Sequence, residues 1–155
     1  MANKPDTGEK LIASNKKALH DYFILQKVEA GLVLTGTELK SLRDGKAQLK
    51  DAYVIFKNGE AYLFGAHISP YTHGNLQNHE PERTRKLLLH RRELAKLHVE
   101  VTEKGLTIVP LRLYFKGSKV KAEIAVVRGK KQYDKRDTER KRELDREAAQ
   151  AMKTR

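Results

Sequence analysis

The chain has 155 residues, 39% hydrophobic and 34% charged, with 32 Lys or Arg against 20 Asp or Glu, a net charge of +12 and an isoelectric point near 9.9. A chain this basic suits a polyanion, because every neutralised phosphate releases condensed counterions; nucleic acid is the first class of partner and an anionic membrane surface the second. It contains no cysteine, which excludes a disulfide frame, a thiolate metal site and a Cys nucleophile, and it offers neither an apolar run of about 18 residues nor a signal-peptide core for a membrane.

Length and the concentration of apolar residues between 22 and 127 predict one folded unit with flexible ends. Residues 1–14 are polar and hold Gly and Pro, which reads as a flexible lead-in. Asn15, Lys16 and Lys17 open the body with the first basic pair. Residues 22–25 and 31–34 are apolar around a polar centre and predict one long strand or two short ones. Thr35-Gly36-Thr37-Glu38 is a T-x-x-E capping box. With Leu39 and Leu42 on one face and Gly45 as a stop, it predicts a short helix that points Lys40 and Arg43 outward. Residues 52–56 and 61–64 bracket Asn58-Gly59, the favoured pair for a type I′ hairpin turn. A long loop follows over 69–84.

Arg83, Arg85 and Lys86 precede the apolar run 87–89. Arg91 and Arg92 then open a helix, marked by Leu94, Leu97 and Val101, that ends before Gly105. Two alternating strands come next. In the first, Val109, Leu111, Leu113 and Phe115 are expected on one face. In the second, Val120, Ala122, Ile124 and Val126 face inward and Lys119, Lys121 and Glu123 outward, with Arg112 nearby if the two strands pair. Pro110 cannot donate a ladder hydrogen bond and marks an edge or bulge. About six antiparallel strands with two or three short helices predict a mainly β protein. Closure into a barrel removes exposed edges, and an oligonucleotide-binding (OB) type barrel is one natural solution.

The last 28 residues, 128–155, hold 11 Lys or Arg and 6 Asp or Glu, a net of +5, and their only large apolar residues are Leu144 and Met152. Such a segment cannot offset its ordering entropy by burial and is expected to be mobile when free. Its strong helix formers, and the narrow stripe of Leu144, Ala148, Ala151 and Met152, make it a latent helix. Tyr133 is a candidate stacking ring among the cations. The expected layout is a flexible 1–14, an RNA-binding barrel over 15–128 and a basic tail over 129–155.

Catalytic signatures are missing: no P-loop, G-x-G-x-x-G, G-x-S-x-G or H-E-x-x-H. His67, His73 and His79 form a loose group whose spacing matches no standard metal site. Glu38 is explained by the capping box. Glu29, in the middle of a strand, reads as a solvated carboxylate or as an acceptor that orders neighbouring Lys or Asn side chains. The recurring clusters of cations around a small barrel favour nucleic acid, and the lack of a groove-reading helix pair favours RNA over DNA. A structural protein of the ribosome, or an RNA hydrolase using the loop histidines, are the other readings.

In order along the chain stand Asn15-Lys16-Lys17-Ala18, His20-Asp21-Tyr22-Phe23, Glu29-Ala30-Gly31, the run from Gly36 to Arg43, Arg85-Lys86-Leu87-Leu88-Leu89, Pro110-Leu111 with Tyr114, Gly129-Lys130-Lys131 and Asp134-Lys135-Arg136. This series resembles the SsrA-binding protein family (small protein B, SmpB) from about residue 12 to the C-terminus. The resemblance implies an OB-type barrel and a non-enzymatic, cytoplasmic protein without a cofactor. It also implies binding to the tRNA-like domain of transfer-messenger RNA (tmRNA) and delivery of that RNA to ribosomes stalled in trans-translation. RNA-binding positions then match Asn15, Glu29, Leu88 and Lys121, and the basic run matches Gly129, Lys130 and Lys131. The tail, with Tyr133, Asp134, Lys135 and Arg136 and then Arg140, Lys141 and Arg142, would probe the empty message channel at the decoding centre of the small subunit. The implied partners are tmRNA, the 70S ribosome and, through the charged tmRNA complex, translation elongation factor Tu.

Overall fold

The computed structural model describes residues 9–72, 78–130 and 132–153. In chain order the elements are β1 (Glu9–Ser14), α1 (Lys16–Asp21), β2 (Tyr22–Leu32), α2 (Gly36–Arg43), β3 (Ala47–Gln48), β4 (Tyr53–Lys57), β5 (Glu60–Phe64), β6 (His67–Ile68), β7 (Arg85–Leu88), α3 (Arg91–Thr102), β8 (Thr107–Lys116), β9 (Lys119–Gly129) and α4 (Gln132–Lys153). The mainly β reading holds. The lead-in is shorter than expected, because residues 9–14 are a strand paired with β8 from Glu9↔Lys116 to Ser14↔Arg112.

Seven strands form one antiparallel sheet in the order β1-β8-β9-β2-β7-β5-β4, and β3 and β6 form a separate pair. One face of the sheet wraps around the main core. Val54 of β4, Leu63 of β5, Leu87 of β7, Val28 of β2, Ile124 of β9 and Leu113 of β8 all pack in it, together with Leu42 of α2 and Leu97 of α3. Although β4 lies close to β8, no ladder joins them, so the expected closed barrel is an open, curled sheet. The outer edge of β8 is already taken, since β1 pairs with it over residues 112–116. Pro110 has no N–H to donate. Its carbonyl accepts from the Asn15 amide Nδ2 at 2.9 Å, and the Leu111 carbonyl accepts from the Asn15 backbone N–H at 2.7 Å.

Bulges divide the sheet between two cores. Leu25 in β2 and Leu111 in β8 are extra residues opposite β9, and each reverses which side chains face inward. Val28, Ala30 and Leu32 therefore face the main core, while Tyr22 and Ile24 pack on the other side against Ala18 of α1. The expectation that Val109, Leu111, Leu113 and Phe115 share a face fails for the same reason. Val109 and Leu111 join Ala125 and Val127 in the small core under α1, and Leu113 and Phe115 stay in the main one.

Local signals hold where they are tight. Asn58 and Gly59 have φ of 53° and 75°, the two positive values that a type I′ turn requires. Thr35 donates its N–H to Glu38 Oε1 at 2.8 Å, and α3 runs as the apolar spacing predicted. The expected latent helix is present as α4, 22 residues long; its Glu, Arg, Lys, Leu and Ala are strong helix formers.

Candidate nucleic-acid interface

Three strand pairings place Leu88, Gly31, Lys121 and Tyr114 in one row across β7, β2, β9 and β8. Leu88, Gly31 and Lys121 of this row line a cleft of about 580 Å³ whose walls also include Glu29, Leu89 and Lys119. Glycine at position 31 lets Leu88 approach β2 closely. A Cβ there would lie 3.1 Å from the Leu88 Cβ, so Leu88 would have to give by a few tenths of an ångström. With glycine in place Leu88 stands 53% exposed, an apolar surface at the cleft wall. Fixed cations with a small apolar surface between them suit phosphate contacts on either side of a stacked or splayed base.

Glu29 is held from β8. The Tyr114 hydroxyl donates to Glu29 Oε2, and Lys116 Nζ lies 3.3 Å from Oε1. These hydrogen bonds, Tyr114 first, hold the Glu29 carboxyl below the ordinary carboxylate range. Burial, and then the bond to Glu29, push the Tyr114 phenol well up, so it remains a donor. Arg112 stacks its guanidinium 4.3 Å from the Tyr114 ring centre and contacts Glu123 at 3.3 Å and Glu9 at 3.6 Å. The Arg112–Glu123 pair confirms the predicted cross-strand neighbours. Glu29 therefore accepts hydrogen bonds from two side chains of β8. Tyr114, which orients it, gained no role from sequence; a Tyr between Arg112 and Lys116 on the polar face of a strand was the available signal.

Other expected contacts are placed elsewhere. Arg85 is fully buried and cannot touch RNA directly. Its Nε contacts Glu38 Oε2 at 2.5 Å and its Nη1 donates to the Ala66 carbonyl at 2.8 Å. Burial alone would raise the Glu38 pKa, but hydrogen bonds from Arg83, the Thr35 amide and Arg85 outweigh it and hold the carboxyl at about 2. The basic run on β7 is therefore partly an internal ion cluster. Asn15 is also interior at 5% exposure, and its side chain caps α1 by accepting from the Ala18 N–H at 3.1 Å while donating to Leu49 and Pro110. It positions Lys16 and Lys17 and is not itself a free surface group; Lys17 pairs with Asp51 at 2.5 Å. Those two lysines line a different cleft, of about 360 Å³. Lys40 and Arg43 are exposed on α2, with the Lys40 ammonium 5.5 Å from the Tyr71 ring centre. Lys86 sits on the outer face of β7, 3.9 Å from Glu60.

At the end of β9, the Lys130 N–H donates to the Asp21 carbonyl at 2.8 Å, and Arg128 and Lys130 lie over the Phe23 ring at 5.5 and 5.2 Å. Gly129 closes β9 and is exposed. Lys131, and the side chains of Tyr133, Asp134 and Lys135, lie outside the described residues. Arg136, Arg140, Lys141 and Arg142 are exposed on α4. His20 joins α4 to α1, with Nδ1 2.8 Å from Asp21 and Nε2 2.6 Å from Glu139.

The two loop histidines among the described residues, His67 and His79, have separate partners. His79 Nε2 donates to the Ile68 carbonyl and its Nδ1 meets the Thr37 hydroxyl, both at 2.9 Å, which ties the loop to α2. His67 faces Glu82 at 3.7 Å, and His73 lies outside the described residues. Among the described residues no group of three His, Asp or Glu is arranged to hold a metal ion, and no helix is long and apolar enough to cross a membrane.

Comparison with known proteins extends the geometry. The model of the family described as SmpB protein matches residues 12–154. An SsrA-binding protein of Geotalea uraniireducens is 57% identical over 147 residues, covering 95% of this chain and 97% of the relative. One of Syntrophobacter fumaroxidans is 56% identical over 155 residues, covering 99% and 96%. A solved structure described as "tmRNA-SmpB: a journey to the center of the bacterial ribosome" superposes with a TM-score of 0.66 at 46% identity, over 77% of this chain and 85% of that one. With the family pattern matched from β1 through α4, the chain belongs to the SmpB protein family.

Proposed function

We propose that this chain is a non-catalytic, cytoplasmic RNA-binding protein that binds the tRNA-like domain of tmRNA and brings it to stalled ribosomes for trans-translation. The observation that carries the reading is the single row of Leu88, Gly31 and Lys121 beside the oriented Glu29. Lys119 and Lys121 contact phosphate, Leu88 lies under a base, and Glu29 orders the hydrogen bonds between them. The names of the SsrA-binding relatives and of the tmRNA-SmpB structure support the same RNA.

The tail carries the second half of the task. A basic helix that touches the body at few points fits a channel vacated by message, and a filled channel would exclude it sterically. Recognition then needs no chemistry. Elongation factor Tu joins through the charged tmRNA. The test separates the halves: a chain ending at Gly129 retains tRNA-like transcripts in dilute buffer but loses peptide tagging on stalled ribosomes. Equal loss of both activities contradicts the division, and absence of binding by the intact chain sinks the reading. Constant stoichiometry with all ribosomes in gradients would favour a structural ribosomal protein instead.

A further inference from the structure

The outer face of the sheet continues past Leu88. Tyr53 of β4 and Phe64 of β5 are direct cross-strand partners on it, their ring centres 5.2 Å apart at 49°. They are 41% and 43% exposed, while their inward neighbours Val54 and Leu63 are buried. The next pair on the same face is Ile55 and Tyr62, and Tyr62 in turn pairs with Lys86 of β7. Cross-strand contact between two rings contributes only about 0.2–1 kcal/mol. It accounts for their adjacency and leaves their position in water unexplained.

The surroundings identify what would cover them. Lys57 is exposed at the end of β4, Lys86 flanks Tyr62, and Glu60 lies 3.9 Å from the Lys86 ammonium. Rings set among ammonium groups match a ligand of planar bases on a phosphate chain better than an apolar protein surface, which would leave those charges desolvated. The face is also continuous with the cleft, since Lys86 is two residues from Leu88 on the same side of β7. Strands lie about 4.8 Å apart, so β4 is about 10 Å from β7, within reach of a strand already held at Leu88.

We propose that Tyr53 and Phe64, with Tyr62 and Lys86, form a second RNA-contact surface that stacks an unpaired base beside the Leu88 cleft. This rests on the reading that the chain binds RNA, and the test separates the two. The full-length chain is titrated with a tRNA-like transcript at several salt concentrations. The Tyr53→Ala/Phe64→Ala variant should bind about 5- to 150-fold more weakly, the range for loss of base stacking. Its salt slope should be unchanged, because stacking releases no counterions. Tyr53→Phe should bind as the native chain does. Should the alanine pair fail to fold, Tyr53→Leu/Phe64→Leu keeps apolar bulk without a ring face and should show the same loss. Ultraviolet crosslinking of the native chain to the transcript should mark Tyr53, Tyr62 or Phe64. Native-like affinity of a folded double variant overturns the proposal. So does crosslinking confined to other peptides, or weakened ribosome association at unchanged RNA affinity, which would assign the face to a protein. Failure of the native chain to bind any transcript would instead strike the function reading itself.

Discussion

The sheet body and the C-terminal helix are both rich in cations and use them in opposite ways. In the body many are neutralised on the spot: Arg85 and Arg83 by Glu38, Arg112 by Glu123 and Glu9, Lys17 by Asp51 and Lys116 by Glu29. They fix strands, helices and one orienting carboxylate, and leave a few lysines such as Lys119 and Lys121 at the cleft. On α4, Arg136, Arg140, Lys141, Arg142 and Arg146 stand exposed along a helix that touches the body chiefly at α1. A charge run in sequence therefore has two outcomes: internal scaffold where a carboxylate from another element meets it in the fold, and an exposed cationic helix face along α4.

The largest effect that would test this contrast is on stability. Glu38→Gln leaves the buried Arg85 without its anion and should destabilise the chain by roughly 3–5 kcal/mol in urea unfolding. Arg140→Gln or Arg142→Gln on α4 should change it by less than about 0.5 kcal/mol. Similar values for both would erase the distinction. The same cluster sets an acid limit. Glu38 is lowered from 4.5 to about 2, so its contribution is complete above the unfolded value and is lost as pH falls through about 2.

Gly31→Ala comes next. The new Cβ meets the Leu88 Cβ at 3.1 Å, and Leu88 must give by a few tenths of an ångström; stability should fall by about 1 kcal/mol, and transcript binding should weaken with it while α4 is untouched. Tyr114→Phe is milder. It removes the hydrogen bond that orients Glu29, and RNA affinity should fall about fivefold, roughly 1 kcal/mol, with the salt slope preserved. Lys121→Gln should instead lower that slope by about 1, the signature of one lost phosphate contact.

The smallest effect lies at the junction of the two regions. Both ring nitrogens of His20 face carboxylates, and the hydrogen bonds to Asp21 and then Glu139 raise its pKa above 6.5. The latch is therefore fully present below the unfolded value and is lost as pH rises through the folded one. Proteolysis within α4 should accelerate modestly between pH 6 and pH 8.5, and His20→Gln should flatten that dependence.

Sequence determined the pieces whose causes are local. The capping box at Thr35, the Asn58-Gly59 turn, the helix from Arg91 and the alternation along β9 each depend on residues a few positions apart. The family series likewise needs only order and spacing, and it singled out Glu29, Leu88 and Lys121 before any strand was paired. What depended on partners far along the chain was decided by the fold alone. Arg85 and Lys86 are adjacent and equally basic, yet one is sealed against Glu38, 47 residues away, and the other faces water. The bulge at Leu25 exchanges inside for outside without any mark in the local pattern, whereas Pro110 marks the one beside it at Leu111, and the outer edge of β8 is taken by β1, about 100 residues away in the chain. Periodicity records which side chains share a face; only packing settles whether that face meets core, helix or solvent, because burial is a property of the partner as much as of the residue.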